Sequence, residues 1–189
     1  MISKTNFLFR NFLLVLSFFA ANNAVSQIDL GSIENFSIYT SIGAVSNTAT
    51  TNITGDIGSD DGAITGFGGL STVNGDIHNT NSTTAQADLD LNAAVVQINN
   101  TVTTAAHVPV FGNGETLFSG VYSQAAAASL DGTLTLDGQG DPNAQFIFKI
   151  GGAFSTAAGA TVVLINCASS SNIFWLSGGA ISMAASTTI

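Results

Sequence analysis

Apolar residues along this chain follow two different patterns with a sharp boundary between them. Over most of the length they come in short runs: Leu134 to Leu136, Phe146 to Ile150, Thr161 to Ile165 and Ile173 to Leu176, separated by Gly, Asn and Asp. Such runs, rich in β-branched and aromatic residues and bounded by turn formers, predict strands. Several are continuously apolar instead of alternating, as in strands packed on both sides. From Thr84 to Ala106 the texture changes. No Gly or Pro occurs there, and Leu91, Val95, Ile98 and Val102 recur at helical spacing, giving one apolar stripe. Thr83 with Gln86 has the form of a capping box, Asp88 suits the dipole of the first turns, and Pro109 lies just beyond the end. One helix over about 84–106 is therefore expected, its stripe laid against a face of stacked strands. That face is lost to solvent and the others stay available.

Self-similarity indicates how the strands stack. Ile53-Thr54-Gly55-Asp56-Ile57 recurs as Val73-Asn74-Gly75-Asp76-Ile77, and Gly151-Gly152-Ala153-Phe154-Ser155 recurs as Gly178-Gly179-Ala180-Ile181-Ser182. Upstream, Ile147-Phe148 aligns with Ile173-Phe174 at nearly the same offset. Unequal periods fit solenoid coils with variable corners better than a strict tandem repeat.

The first residues carry a different signal. Lys4 and Arg10 form a positive region, Phe12 to Ala21 an apolar run too short to span a bilayer, and Ala24-Val25-Ser26 a small-residue cleavage site. Residues 1–26 are thus expected to be an export signal, with a retained membrane anchor as the rival reading, leaving a secreted domain at 27–189. Lys149 is then the only Lys or Arg left, against 12 acidic residues. Nucleic acid and anionic membranes are excluded as partners, because phosphate binding needs clustered cations. Only 8% of residues are charged while 46% are hydrophobic, which also argues against disorder. Cys167 is the sole cysteine, so no internal disulfide and no cysteine-type zinc site can form. A buried, inert thiol is expected there, with an intermolecular bridge as the alternative.

Catalytic readings find little support. Solenoid lyases and hydrolases need a basic residue or paired carboxylates in a groove, yet Lys149 sits in an apolar run that suggests a corner or edge position. His78 and His107 have no Cys or His ligand motif around them. The acidic turns at Asp56 to Asp61 and Asp137 to Asp141 could hold calcium but read more simply as solvated turns. No Gly-x-Ser-x-Gly elbow surrounds Ser119-Gly120. No catalytic residue, metal or cofactor is expected.

Three stretches resemble the microbial ice-binding proteins that fold as a discontinuous right-handed parallel β-solenoid with one long helix. The first runs from Leu30-Gly31 and Phe36-Ser37-Ile38 through Ser46-Asn47-Thr48 and Thr54-Gly55-Asp56-Ile57-Gly58 to Ile64-Thr65-Gly66-Phe67. The second is Ala85-Gln86-Ala87-Asp88-Leu89. The third comprises Gly120-Val121-Tyr122, Leu134 through Ala144, Phe146-Ile147-Phe148 and Asn172-Ile173-Phe174-Trp175. Two departures stand out. Asp60-Asp61-Gly62 replaces a turn usually made with proline, which should alter only a loop. The family continues past the position of Ile189, so the domain is expected to be incomplete at its C-terminus.

The resemblance implies adsorption to ice through a flat solenoid face, inhibiting ice growth and recrystallisation, by a protein that is monomeric at full length. Stacked strands lie ~4.8 Å apart and same-face residues ~7 Å apart, both near repeats of water oxygens in ice. Thr suits such a face: its methyl excludes disordered water, its hydroxyl joins ordered water, and its χ1 is stiff. The family's face motif is Thr, then Ala or Gly, then any residue, then Thr or Asn. Thr48-Ala49-Thr50-Thr51 satisfies it, Thr156-Ala157-Ala158-Gly159 misses the last position, and Met183-Ala184-Ala185-Ser186 is a weaker relative. Candidate ice-contact residues are accordingly Thr48, Ala49, Thr51, Ser155, Thr156 and Ala158. The alternatives are an extracellular adhesion or matrix protein, or a carbohydrate-binding solenoid. Against the last, Phe146, Phe148, Phe174 and Trp175 read as core, not as an exposed aromatic ladder.

Overall fold

The computed structural model describes residues 27–189, and the export segment expected at residues 1–26 lies outside them. The strands form two parallel β-solenoid stacks built to the same three-sided plan. The first holds β1 (Phe36–Thr40), β2 (Val45–Ser46), β3 (Asn52–Thr54), β4 (Asp56–Ser59), β5 (Ile64–Thr65), β6 (Thr72–Asn74) and β7 (Ile77–Asn79). Its sheets are β1-β4-β7, β2-β5 and β3-β6. Helix α1 (Ser82–Asn100) follows. The second stack holds β8 (Ala105–Ala106), β9 (Val110–Gly112), β10 (Glu115–Phe118), β11 (Gly120–Gln124), β12 (Ala128–Asp131), β13 (Thr133–Asp137), β14 (Phe146–Ile150), β15 (Phe154–Thr156), β16 (Thr161–Ile165), β17 (Ile173–Ser177) and β18 (Ile181–Ser182). Its sheets are β8-β11-β14-β17, β9-β12-β15-β18 and β10-β13-β16. Among the described residues no sheet contains strands of both stacks.

The short internal repeats are the stacking register. Ile53 lies over Val73 and Ile57 over Ile77, an interval of 20; Phe154 lies over Ile181, an interval of 27. The aligned pair Ile147-Phe148 shifts by one: Ile147 pairs with Phe174 and Phe148 with Trp175. A slip of one residue would exchange the two faces of the strand. The observed register lets Trp175 stack on Phe148 at 3.8 Å between ring centroids.

Alternation assigns each face. In the first sheet of the second stack, Tyr122, Phe148 and Trp175 point inward, joining Phe111, Leu130, Leu134, Leu136 and Phe154 in one core. Val121, Ile147 and Phe174 point outward, where Ala94 and Ile98 of α1 and Ile28 cover them. The sheet is therefore buried on both sides, which is why β14 reads as unbroken apolar sequence. Burial also raises the Tyr122 phenol above its ordinary pKa, and its hydroxyl donates to the Phe118 carbonyl at 2.7 Å. At the corners Ala125, Gly151 and Gly178 stack so tightly that a Cβ on Gly151 would lie 2.2 Å from the Ala125 carbonyl oxygen and one on Gly178 2.5 Å from that of Gly151.

The helix is shifted and shorter than expected. Asn81, not Thr83, caps it: its side chain accepts from the Thr83 and Thr84 amides, and the Thr84 hydroxyl accepts from the Asn81 amide. The buried residues are Thr84, Ala87, Ala94 and Ile98, with Leu91 and Val95 partly covered. Small residues let α1 approach its neighbours. Val102 is 86% exposed, because the helix ends at Asn100 and the chain turns away. Lys149 explains that end. It is on the interior strand β14, not at an edge, and its ammonium donates to the carbonyls of Ile98, Asn99 and Thr101 at 2.7–3.1 Å. A cation there satisfies orphan carbonyls and complements the negative helix terminus.

Asp60 does more than vary a loop: its carboxylate accepts from the buried Thr84 hydroxyl at 2.7 Å, beside the helix N-terminus. The segment before β1 spans both stacks. Gln27 donates to Asn172, Gln97 accepts from the Asp29 amide, and Asp90 accepts from the Ser32 amide and hydroxyl. Cys167 is exposed, contrary to the buried thiol expected, because Asn166 and Cys167 both take left-handed backbone conformations that turn the chain outward after β16.

Candidate functional site: an uncharged face of small side chains

The second sheets carry a repeated triplet on five coils. Ala44-Val45-Ser46 and Ala63-Ile64-Thr65 occur in the first stack; Ala127-Ala128-Ser129, Ala153-Phe154-Ser155 and Ala180-Ile181-Ser182 occur in the second. The middle residue faces the interior of the coil. The flanking Ala and Ser or Thr face outward, with the alanines exposed in all five coils and Ser129 the only partly covered hydroxyl residue. In-register pairing makes columns of them: Ser46 beside Thr65, and Ser129, Ser155 and Ser182 in a row. The remaining coil places Val110 next to Ser129.

Charge is nearly absent from these columns. Asp131 stands at the border; the other carboxylates lie on corners, in the segment before β1, on α1, or facing inward, as with Glu115, which contacts His107 at 3.0 Å. That His107 imidazole stacks on Phe111 at 3.9 Å, a structural arrangement on the inside of the coil. Rows of methyl and hydroxyl groups on hydrogen-bonded strands ~4.8 Å apart form a rigid surface that can order water without hydrating as strongly as ions do.

The expected site residues divide. Ser155 lies in the central column of the second stack. Thr48, Ala49 and Ala158 are exposed, in the turns that lead from the second sheet to the third. Thr51 is partly covered, and its hydroxyl is taken up by the Asn47 side chain at 2.9 Å. Asn47 organises that whole turn, donating to the Ala49 and Gly66 carbonyls and to the Ser71 hydroxyl. Thr156 is corrected: it is only 7% exposed, and its hydroxyl bonds Thr187 at 2.7 Å and accepts from the Ala184 amide at 2.9 Å. Strand alternation places it inward, next to outward Ser155, so it ties the third coil to the fourth. The sequence motif leads to the turns, and of the Ala and Ser columns only Ser155 is among the expected residues. The columns show in the chain as Ala–apolar–Ser/Thr on five coils, two instances of it inside the internal repeats.

Residues 39–189 match the ice-binding-like family. The chain belongs to that family. An ice-binding protein of Nostoc sp. (strain HG1) is 34% identical over 172 residues, covering 90% of this chain and 63% of that protein. This chain therefore spans less than two thirds of that relative's length. The crystal structure of an ice-binding protein from the Antarctic ascomycete Antarctomyces psychrotrophicus superimposes with a TM-score of 0.77 at 28% identity, over 87% of this chain and 98% of that one. One from an Antarctic Flavobacteriaceae bacterium gives 0.75 at 31% identity, over 89% of this chain and 50% of that one. Membership in the ice-binding-like family and the solenoid-plus-helix architecture agree with the resemblance read from the sequence.

Proposed function

We propose that this protein adsorbs to ice through the second-sheet face, and that its role is binding, not catalysis. The observation that carries this reading is the outward Ala and Ser/Thr columns, repeated on five coils and almost free of charge. An adsorbed molecule would pin a growing ice front and suppress recrystallisation. Stiff, short side chains lose little conformational freedom on binding, whereas long charged ones would have to be immobilised. Thr48, Ala49 and Ala158 would extend the contact around the adjoining turns, and Thr51 would hold the first of these in shape.

The reading includes export, with the signal at residues 1–26 removed, action as a monomer, and no nucleic-acid or membrane partner. Among the described residues no helix is long and apolar enough to cross a membrane.

The test compares two faces. Ser155→Tyr puts a ring in the middle of the proposed surface, while Thr135→Tyr puts one on the third sheet between Thr116 and Val163. Each variant is first checked for native circular dichroism, then for thermal hysteresis and ice-crystal shaping. Activity should fall severalfold in the first and stay near wild type in the second. Equal activity in both variants would remove this face from consideration, and an inactive wild type would defeat the proposal itself.

A further inference from the structure

We propose that Asp56, Asp76 and His78 form a binding site for one divalent transition-metal ion at the corner between the third and first sheets of the first stack. Asp56 comes from one coil and Asp76 and His78 from the next, and together they offer one imidazole nitrogen and two carboxylate oxygens, all within 4.8 Å of one another. Their positions follow from the 20-residue register, which puts Gly75-Asp76-Ile77 directly over Gly55-Asp56-Ile57. Stacking of two like charges on adjacent coils is unfavourable unless a cation lies between them.

The geometry is organised around His78. Its Nε2 is 3.5 Å from Asp56 Oδ2, close to the edge of about 3.4 Å that two ligands share around a tetrahedral zinc with ~2.1 Å bonds. The other Asp56 oxygen accepts from the Asp76 amide at 2.9 Å, which orients that carboxylate. The imidazole lies edge to face with Phe36, at 5.7 Å, whose ring fills the space beside Gly58 opposite His78 in the ladder. Asp76 is exposed, so a change of rotamer brings it in at little cost, and the remaining coordination positions open to water. An imidazole with two carboxylates selects zinc or nickel over calcium, which prefers an all-oxygen set. Such an ion would clamp the outer two coils of the thinner stack together. This inference is independent of ice binding.

Calorimetric titration of the protein with ZnCl2, NiCl2 and CaCl2 separately tests it. Zinc and nickel should each saturate at one equivalent and raise the melting temperature, with calcium far weaker. His78→Ala and Asp56→Asn should each weaken zinc binding by more than about tenfold. His107→Ala and Cys167→Ser, which remove the other imidazole and the exposed thiol, should leave it unchanged. In the unmutated protein, Co2+ should broaden the NMR signals of His78, Ile57 and Ile77 before all others, a readout that does not depend on how the variants fold. Absence of saturable zinc binding, survival of it in His78→Ala, tighter binding of calcium than of zinc, or broadening centred elsewhere would each overturn the proposal.

Discussion

The two stacks share one plan and differ in what they enclose. Coils of the first take 19 or 20 residues and surround a single aliphatic layer: Ile57 is fully buried and Val45 nearly so, while Ile53, Ile64 and Val73 remain partly open. Coils of the second take 26 to 28 residues from β11 onward and enclose Phe111, Phe146, Phe148 and Phe154 completely. Both are parallel ladders, but those of the second run to five residue pairs against four at most in the first, and the enclosed apolar volume differs with them. Burial of a large side chain contributes roughly 1.5–3 kcal/mol, and the second stack holds many more of them. The exposed triplets nonetheless recur on both. A surface of short side chains needs a regular ladder beneath it, not a thick core.

The comparison is easiest to break at the cores. Phe148→Ala should cost about 3–5 kcal/mol, because it opens a cavity among Phe111, Tyr122 and Trp175. Ile57→Ala should cost about 2 kcal/mol, the low end for such a truncation, because its partly open neighbours can relax. Urea unfolding measures both, and native-state amide exchange should show the first stack opening below the global free energy. Equal costs would mean that the stacks act as one core.

A smaller effect is expected at the tie between helix and second stack. Lys149→Met keeps the aliphatic stem but removes the ammonium from the Asn99 and Thr101 carbonyls, and from an Ile98 carbonyl that Thr101 still serves, a loss of about 1.5–3 kcal/mol. Amide exchange near Ile98 should accelerate while that of β4 stays unchanged. Acceleration in both places would show that α1 transmits the loss across the molecule.

The smallest effect concerns the segment leading into the first stack. Hydrogen bonds from the Ser32 hydroxyl and amide, and from Gln86, hold the Asp90 carboxyl below its ordinary value of 3.8. A lowered folded-state pKa contributes stability that is present above the ordinary value and is lost as pH falls through the lowered one. Protection of the Ser32 amide, the slowing of its exchange relative to an unstructured chain at the same pH, should therefore be constant at mildly acidic pH and fall below about pH 4, a fall that Asp90→Asn should abolish. A fall centred well above that pH would point to another group.

Particular residues show what could be read from the chain. The run Phe146 to Ile150 is strand β14 end to end, and the Ile53 and Val73 repeats gave the true register of the first stack. In the second stack, similarity favoured Ile147 over Ile173, while packing favoured Ile147 over Phe174, because only that register overlays Phe148 and Trp175. Val102 continued the helical period but not the helix, since Lys149 and the Thr101 hydroxyl satisfy the carbonyls that another turn would have used. Thr156 begins the motif but lies on the inward side of a strand only three residues long, too short to show alternation in the sequence.

Hydrophobic periodicity and repeats by themselves determined that this protein is a strand stack with one helix, and the resemblance placed it among ice-binding proteins. Only the tertiary structure decided which of the small polar residues face outward. Ala, Ser and Thr carry too little hydrophobic signal to announce their side, so neighbouring coils settle it through register and close backbone contact. The same holds for Asp56, Asp76 and His78. Their sequence separations show no ligand motif, because the meeting of the histidine with both carboxylates depends on how far each coil advances the chain and on which way each strand turns its side chains.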